Sequence, residues 1–552
     1  MAKNRLKIVP IGGLGEIGKN MMVIEYDKDI IVIDAGLMFP NEEMLGIDLV
    51  IPDITYLLEN REKIRGIVIT HAHEDHIGAL PYILPQLNVP IYCTRLAKGL
   101  ISGKLKERKA LAQAKINVIT PGSPFNLGRF KIEFYPVCHS IPDAVGLIIQ
   151  TPMGTIIHSG DFKLDHTPVN GPPTDLSRLA QIGGQEVLLL LADSTYAELP
   201  GYTPSEKVVD EALDRIMVKA SGRVIITTFA SLISRVQQII NAAARHQRRV
   251  FITGRSMSDT VKIATELGYL KIPDGVLVRI DELRNMPHEK IVIITTGSQG
   301  EPTSGLVRIA NRDHRQVNIT KGDTVVYSAS PIPGNESLIN RTIDSLFKQG
   351  ADVYYGSIAQ THVHGHASQE ELKLLQRLVK PKYFMPIHGE YRHLNLHARL
   401  AQSVGMPAKN TFVLEDGDVL ELTPNWGKVT GKISTGNVYV DGLSVGDVGG
   451  IILRNRRMLS RDGIVVVIVA VNKQTGKLVG RPDIVSRGFV DINESKDMLE
   501  ESRDLVAKIL EHGRSHTAEW GFADSKVRDA LNRFYYEHTK RRPMILPVMV
   551  KV

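Results

Sequence analysis

The chain opens on short apolar runs separated by turn residues. Leu6–Ile11, Met21–Tyr26, Ile30–Asp34 and Gly66–Thr70 are rich in β-formers, and Gly, Asp and Asn lie between them. That pattern predicts the strands of a sheet built partly from hairpins. Lys131–Pro136, Gly146–Gln150, Thr155–Ser159 and Val187–Ala192 repeat it, and this β-heavy block runs to about residue 205. From 206 to 365 the rhythm changes. Helical stretches alternate with apolar strands, each running into a loop of small polar residues: VIITTFASLISR, VFITGRSMSD, IVIITTGSQGEP and TVVYSASPIPGN. Such repetition predicts a parallel α/β sheet, which gathers ligands at the carboxyl ends of its strands. The hydroxyls and free backbone N–H groups of these loops suit phosphates.

After 366 a helix is expected. Ser368 and Glu371 form a capping box, Leu372, Leu375 and Val379 share one face, and Pro381 stops it. Strand-like runs follow to about 448. Gly449–Asp462, with Arg454, Arg456 and Arg457, reads as a connector. Gly463–Val552 holds a β run at Ile464–Val471, two amphipathic helices and a closing strand in RRPMILPVMVKV.

A chain of 552 residues exceeds what one core serves, so two to four domains are expected. With 43% hydrophobic and 23% charged residues, the composition is that of a globular protein. A formal charge of +7 and a pI near 9.1 permit a polyanionic partner without demanding one. Two cysteines, Cys93 and Cys138, make no disulfide framework and fit a reducing compartment. The first residues lack the pattern of a secretory signal, and no uncharged apolar run reaches bilayer-spanning length. A cytoplasmic protein with no membrane partner is expected.

The candidate chemistry starts at His71-Ala72-His73-Glu74-Asp75-His76, directly after the strand GIVIT. Three imidazoles and a carboxylate within six residues supply N and O ligands for zinc or manganese, and alternate residues of a loop can point at two neighbouring ions. One loop cannot close two sites. His139 after IEFYPV, Asp161 after IIHSG and His388 after YFMPI are the further candidates, each at a strand end.

This pattern resembles the metallo-β-lactamase superfamily. The resemblance implies that His71, His73 and His139 hold one metal, that Asp75, His76 and His388 hold a second, and that Asp161 bridges them. Asp34, in IVIDAG, matches the superfamily's early aspartate, which orients the ligand loop from behind. Residues 206–365 interrupt the ligands, between Asp161 and His388, an arrangement similar to the β-CASP nucleases. The extra motifs of that family match Asp193, His366 and His388. GGLGEIGKN, DAGLMFP, GIDLVIPD, THAHEDHIGALPY, HSIPDAVG, GDFKLD, TTGSQGEP, SPIPGN, MPIHGEYRH and KRRPMILP resemble the ribonuclease J family from about residue 6 to 552. One departure stands out: where that family often has HTSGHG, this chain has His362-Val363-His364-Gly365-His366, so His364 replaces the serine.

The fold so implied is an αββα metallo-β-lactamase sandwich in two parts, 1–205 and 366–448. A parallel α/β β-CASP domain (206–365) is inserted, and a linker (449–462) leads to a small α+β domain (463–552). The activity implied is metal-dependent hydrolysis of RNA: 5′-to-3′ exonucleolytic with preference for 5′-monophosphate ends, with internal cuts as a second mode, in RNA maturation and decay. Two divalent ions per chain are expected, zinc foremost, with manganese or magnesium as alternatives. Such ions lower the pKa of bound water to about 7. Asp75, Asp193 and His366 form the expected catalytic set, with His366 as phosphate donor or leaving-group acid. Ser231, Ser234, His362, His364, Gly365 and His366 are candidates for holding RNA phosphates. The C-terminal domain is expected to pair subunits into a homodimer or homotetramer.

Other readings carry discriminators. Gly13-Leu14-Gly15-Glu16-Ile17-Gly18 fits a dinucleotide fingerprint, but KNMMVIEY after it reads as a strand where that fingerprint needs a helix. A DNA-processing β-CASP nuclease would carry the same metal site, and matched RNA and DNA oligomers separate the two. A non-catalytic RNA-binding subunit would tolerate a damaged metal loop, yet His71, His73, Asp75 and His76 all stand. The basic clusters Lys104–Lys109, Arg245–Arg249 and Arg454–Arg457 read first as solvated faces, with an RNA path as the sharper alternative.

Overall fold

The structure, a computed structural model, describes residues 5–41, 43–283, 285–301, 303–331, 335–356, 358–475, 477–491, 494–512 and 520–552, with the side chains of 512–523 left aside. Pro302 of TTGSQGEP and Ile332–Gly334 of SPIPGN therefore lie outside the described residues. Two compact units emerge: 1–39 with 49–438, and 40–48 with 439–552.

The larger unit is built on two sheets. One has eight strands in the order Gly427–Lys432, Asp418–Leu422, Leu6–Gly12, Met21–Tyr26, Asp29–Ile33, Ile64–Val68, Ile91–Cys93 and Ile116–Val118. The other has six: Tyr383–Ile387, Val187–Asp193, Gly154–His158, Val145–Thr151, Phe130–Pro136 and Phe125–Leu127. Alternation along the second sheet decides the layering. Phe134, Leu147 and Leu189 face Ile8, Ile24 and Ile31 of the first sheet. Ile148, Leu190 and Phe384 point the other way, beneath Leu179, Leu372, Leu375 and Ala401 of three helices. With both faces covered, these strands read as nearly continuous apolar runs.

Within this unit, five parallel strands form the inserted sheet, in the order Arg249–Ile252, Ile291–Thr295, Val224–Thr227, Thr324–Tyr327 and Asp352–Tyr354. The chain lays two strands on one side of Val224–Thr227 and then two on the other. The reversal opens a crevice beyond the carboxyl ends of Val224–Thr227 and Thr324–Tyr327.

The smaller unit has a sheet ordered Asp483–Arg487, Ile464–Val471 and Met544–Lys551. Val465, Val467, Val469 and Ile545 pack against Leu499, Val506, Val527, Leu531 and Tyr535 of the helices Lys496–His512 and Trp520–Thr539. Leu546, Val548 and Val550, on the opposite face, are exposed.

Three elements differ from the sequence reading. The connector is a helix, Gly450–Asp462, in which only Leu453 is buried. A helix, Tyr391–Ser403, interrupts the strands expected after 381; its inner face carries His393 and His397 beside Leu394, Ala398 and Ala401, so polar residues dilute the apolar stripe. A third helix, Arg95–Glu107, lies in the β-heavy block. The glycine-rich run Gly12–Gly18 leads into the strand Met21–Tyr26 and opens no helix. Both cysteines are free and buried.

Candidate metal centre

Every candidate ligand sits where a strand ends. The loop after Ile64–Val68 carries His71 and His73 and enters the one-turn helix Glu74–Ile77, which carries Asp75 and His76. Backbone bonds zip this loop to the residue before Met21–Tyr26, Asn20 N to Asp75 O at 3.0 Å, and to the segment after Asp29–Ile33, Ala35 N to His76 O at 2.7 Å and Leu37 N to Glu74 O at 3.0 Å. The approach requires Gly36, since a Cβ there would stand 1.6 Å from the Asp75 carbonyl oxygen. His139 follows Phe130–Pro136, Asp161 follows Gly154–His158, and His388 follows Tyr383–Ile387.

The structure brings all seven together. Donor atoms of His71, His73 and His139 lie within 4.8 Å of one another, and so do those of Asp75, His76, Asp161 and His388. Asp161 belongs to both sides of the cluster. Its Oδ2 is 3.6 Å from His71 Nε2, 3.8 Å from His139 Nε2, 3.2 Å from His76 Nε2 and 3.4 Å from His388 Nε2. Two backbones here are held at positive φ, Asp34 at 61° and His388 at 55°, a conformation non-glycine residues adopt only where surroundings impose it.

Behind the cluster, Asp34 accepts from Thr70 N at 2.8 Å and from Thr70 Oγ1 at 2.8 Å, and its Oδ2 lies 2.8 Å from His76 Nδ1. That contact turns His76 Nε2 towards Asp161. Thr195 Oγ1 plays a matching part at His388, 2.7 Å from its Nδ1, while also donating to Asp193 Oδ1 at 2.8 Å. His139 Nδ1 donates to the carbonyl of Gly365 at 2.7 Å, leaving Nε2 for the cluster. Sequence reasoning missed Asn20, Thr70 and Thr195. Thr70 and Thr195 adjoin recognised motifs, and that adjacency was the available signal.

Electrostatics fit a cation. Burial, reinforced by neighbouring imidazoles, drives His71 and His139 well below the ordinary histidine range, and burial takes His73 down to about 4. These rings are neutral, with lone pairs ready. Burial works against charge on His76 and His388 too, yet Asp161 and Asp75 overcome it: His76 rises well above its ordinary value and His388 to about 9. The carboxylates thus draw positive charge into the cluster, and divalent ions would satisfy the same demand with neutral imidazoles as ligands.

Beside the ligands, His366 Nδ1 lies 2.7 Å from Asp193 Oδ2. Although burial opposes it, the Asp193 carboxylate raises His366 above its usual value. His364 stacks on Tyr196, ring centroids 3.9 Å apart, and its Nδ1 donates to the His366 carbonyl at 2.9 Å. Ser231 occupies the turn before the helix Ile233–Arg245 and is half-buried, whereas Ser234, in its first turn, is buried. Next to them lies a buried ion network. Arg235 donates to Glu206 Oε2 at 2.6 Å and to Thr361 O at 2.7 Å, and Lys163 Nζ is 3.5 Å from Glu206 Oε1. Lys163 follows Asp161 by two residues, so the insert's charges reach the loop that carries Asp161.

Family models match along the chain: the metallo-β-lactamase superfamily over residues 14–199, the ribonuclease J β-CASP domain over 221–346, a Zn-dependent metallo-hydrolase RNA specificity domain over 350–414 and the ribonuclease J C-terminal domain over 451–552. The sequence is 43% identical to Ribonuclease J2 of Bacillus subtilis across 99% of both chains. It is 44% identical to Ribonuclease J 1 of Streptococcus pyogenes across 99% of this chain and 98% of that one. The chain belongs to the ribonuclease J family. Ribonuclease J of Thermus thermophilus is 43% identical, across 100% of this chain and 96% of that relative. A crystal structure of a protein of unknown function from Enterococcus faecalis V583 shares the fold at 16% identity, with a TM-score of 0.56 over 76% of this chain and 100% of that one. As a ribonuclease J family member the chain is a metal-dependent hydrolase of RNA, and no helix among its described residues is long and apolar enough to cross a membrane.

Proposed function

We propose that this ribonuclease J family member degrades RNA from the 5′ end, releasing nucleotides 5′ to 3′ from monophosphate ends and also cutting internally, in RNA maturation and decay in the cytoplasm. Two divalent ions, zinc foremost, would be held by His71, His73 and His139 and by Asp75, His76 and His388, with Asp161 available to both groups. Bound there, the ions supply Lewis acidity, neutralising phosphoryl oxygens and acidifying water. The chain's own part is to orient and to move protons. Asp193 fixes His366, whose raised pKa keeps a proton for the leaving 3′ oxygen or for a phosphate oxygen, while Thr195 orients His388 through its Nδ1.

The observation that carries end recognition is His362. Its Nδ1 is buried with no hydrogen-bond partner among the described residues. Burial, with Arg235, His364 and Lys163 near, holds the ring well below the usual histidine range. An unpaired buried nitrogen is costly, and a phosphate seated beside Arg235 and Lys163 would relieve it by drawing a proton onto Nδ1, which then donates. Ser231, Ser234 and the His364-Gly365-His366 loop complete the pocket in this reading. Pairing of subunits through the C-terminal domain, as homodimer or homotetramer, belongs to the same reading, supported by the exposed apolar face of its sheet.

The test maps products from matched RNAs bearing 5′-monophosphate or 5′-triphosphate ends. We expect single-nucleotide release from the first and internal cuts alone in the second, and loss of that preference in His362→Ala. Equal single-nucleotide release from both ends rejects the pocket. Asp161→Ala should lose at least one of two ions by elemental analysis and all cleavage; retention of both ions with activity rejects the bridge.

A further inference from the structure

Of the three basic clusters in the sequence, two are partly paired or tied to carbonyls. Arg245 pairs with Asp210 and Asp214, and Arg248 donates to the carbonyls of Gly222, Met217 and Ala220. Arg456 pairs with Asp441, and Arg457 with Glu43. The third is different. Residues 95–115 hold seven basic side chains against one carboxylate, Glu107, in a chain whose whole net charge is +7.

The helix Arg95–Glu107 displays that charge in order. It buries Leu96, Ala97, Leu100, Ile101 and Leu105. Gly99 seats it against the helix Arg255–Glu266 and the residue after it, for a Cβ there would meet Ile263 Cγ2 and Leu267 Cδ1 at 2.8 Å. These contacts fix the helix's rotation. Arg95, Lys98 and Lys106 are thereby turned outward on one face, with Lys109 just past the helix end, and all four are exposed. None forms an ion pair among the described residues. At 1.5 Å per residue the row spans about 20 Å, several nucleotides of a single strand.

The helix is tied near both ends to loops that carry candidate ligands. Thr94 Oγ1 donates to Asp143 O at 3.0 Å, and Leu96 N to Asp143 Oδ2 at 3.0 Å, on the loop that carries His139 and Ser140. Lys104, on the buried side, pairs with Glu74 inside the loop His71–His76. We propose that the outer face of Arg95–Glu107, with Lys109, is a track for the sugar–phosphate backbone of single-stranded RNA passing beside the metal centre. The proposal rests on the chain's being a ribonuclease. Unpaired cations favour a polyanion over an acidic protein patch because the row is narrow and long. With no aromatic side chain among Arg95–Lys109, the contact reads backbone charge and not bases.

The test uses the full-length triple variant Lys98→Gln, Lys106→Gln, Lys109→Gln and phosphorothioate-linked single-stranded RNAs of about 4, 8 and 12 nucleotides, a length chosen to match the 20 Å row. A second triple variant, at the exposed Lys207, Lys219 and Lys348, removes equal charge elsewhere. In fluorescence anisotropy the wild type should bind more tightly as length grows. The track variant should lose about tenfold or more at the longest RNA, with a salt slope shallower by about 2, at roughly 0.7 per lost phosphate contact. Wild-type affinity and slope in the track variant overturn the proposal, and so does an equal loss in the control variant. A wild type that binds none of these RNAs overturns the proposal together with the ribonuclease reading, a result distinct from either.

Discussion

Asp193 takes up Nδ1 of His366, so only Nε2 of that ring is left to meet a substrate. His366 also stands near enough to His139 and Asp161 to join a metal. The two roles separate in His366→Ala. Loss of an acid or phosphate donor should leave the ion content intact and slow the chemical step by about 10²-fold or more; a drop in bound metal on elemental analysis would make His366 a ligand instead. A second residue makes a prediction about pH. Burial beside the Glu16 carboxylate pushes Asp416 up to about 7, and its Oδ1 accepts from Leu14 N at 3.1 Å. Its folded pKa lies above the unfolded value, so the native state binds the extra proton. Stability is therefore gained while Asp416 stays protonated and falls as pH rises from about 4 through 7. Asp416→Asn keeps the acceptor and cannot ionise. It should raise Tm by a few degrees at pH 8 and hardly at all at pH 4; an unchanged Tm at pH 8 would mean the carboxyl pair imposes no strain.

At the scale of elements, what was legible followed periodicity. Phe130, Ile132 and Phe134 alternate with residues facing the other layer, and such strands announced themselves. The box at Ser368 and Glu371 did likewise, and Glu371 proves to serve more than its own helix, accepting from Leu164 N at 2.7 Å and Thr203 N at 2.7 Å. The candidate ligands that the structure brings together were legible because their chemistry demands rare residues at close spacing. The helices Arg95–Glu107 and Tyr391–Ser403 were not, and for opposite reasons. The first carries Gly99 and Gly103, each costing about 1 kcal/mol of helix propensity, which tertiary contact with Ile263 requires at Gly99. The second buries His397, whose Nδ1 lies 2.9 Å from Ser194 Oγ, so a polar residue holds a core position through a partner distant in sequence. Such pairings exist only after folding. The C-terminal sheet leaves one more element open to test. Leu546→Lys with Val548→Lys puts charge on its exposed face without touching Val465 or Val467 beneath. Light scattering should report a smaller particle than the wild type; the same mass would clear this face of any part in assembly.

Across the larger unit, the metallo-β-lactamase scaffold and its insert share buried charge: Lys163 and Asp165 come from one, Arg235 from the other, and Glu206 joins them. The insert is accordingly wired to the loop of Asp161 and not merely appended to it. The order of parts along the chain has a consequence of its own. His388 meets Asp75 across 313 residues of sequence. During synthesis at about 5–20 residues per second, that interval lasts some 15–60 seconds. Throughout it the ribosome carries a chain bearing the first loop of histidines while the last candidate ligand has yet to be made. Until His388 has been made, the nascent chain lacks the assembled cluster, and so does any product released at an earlier stop. Placing the insert between the candidate ligands makes synthesis of the whole insert a precondition for assembling the cluster.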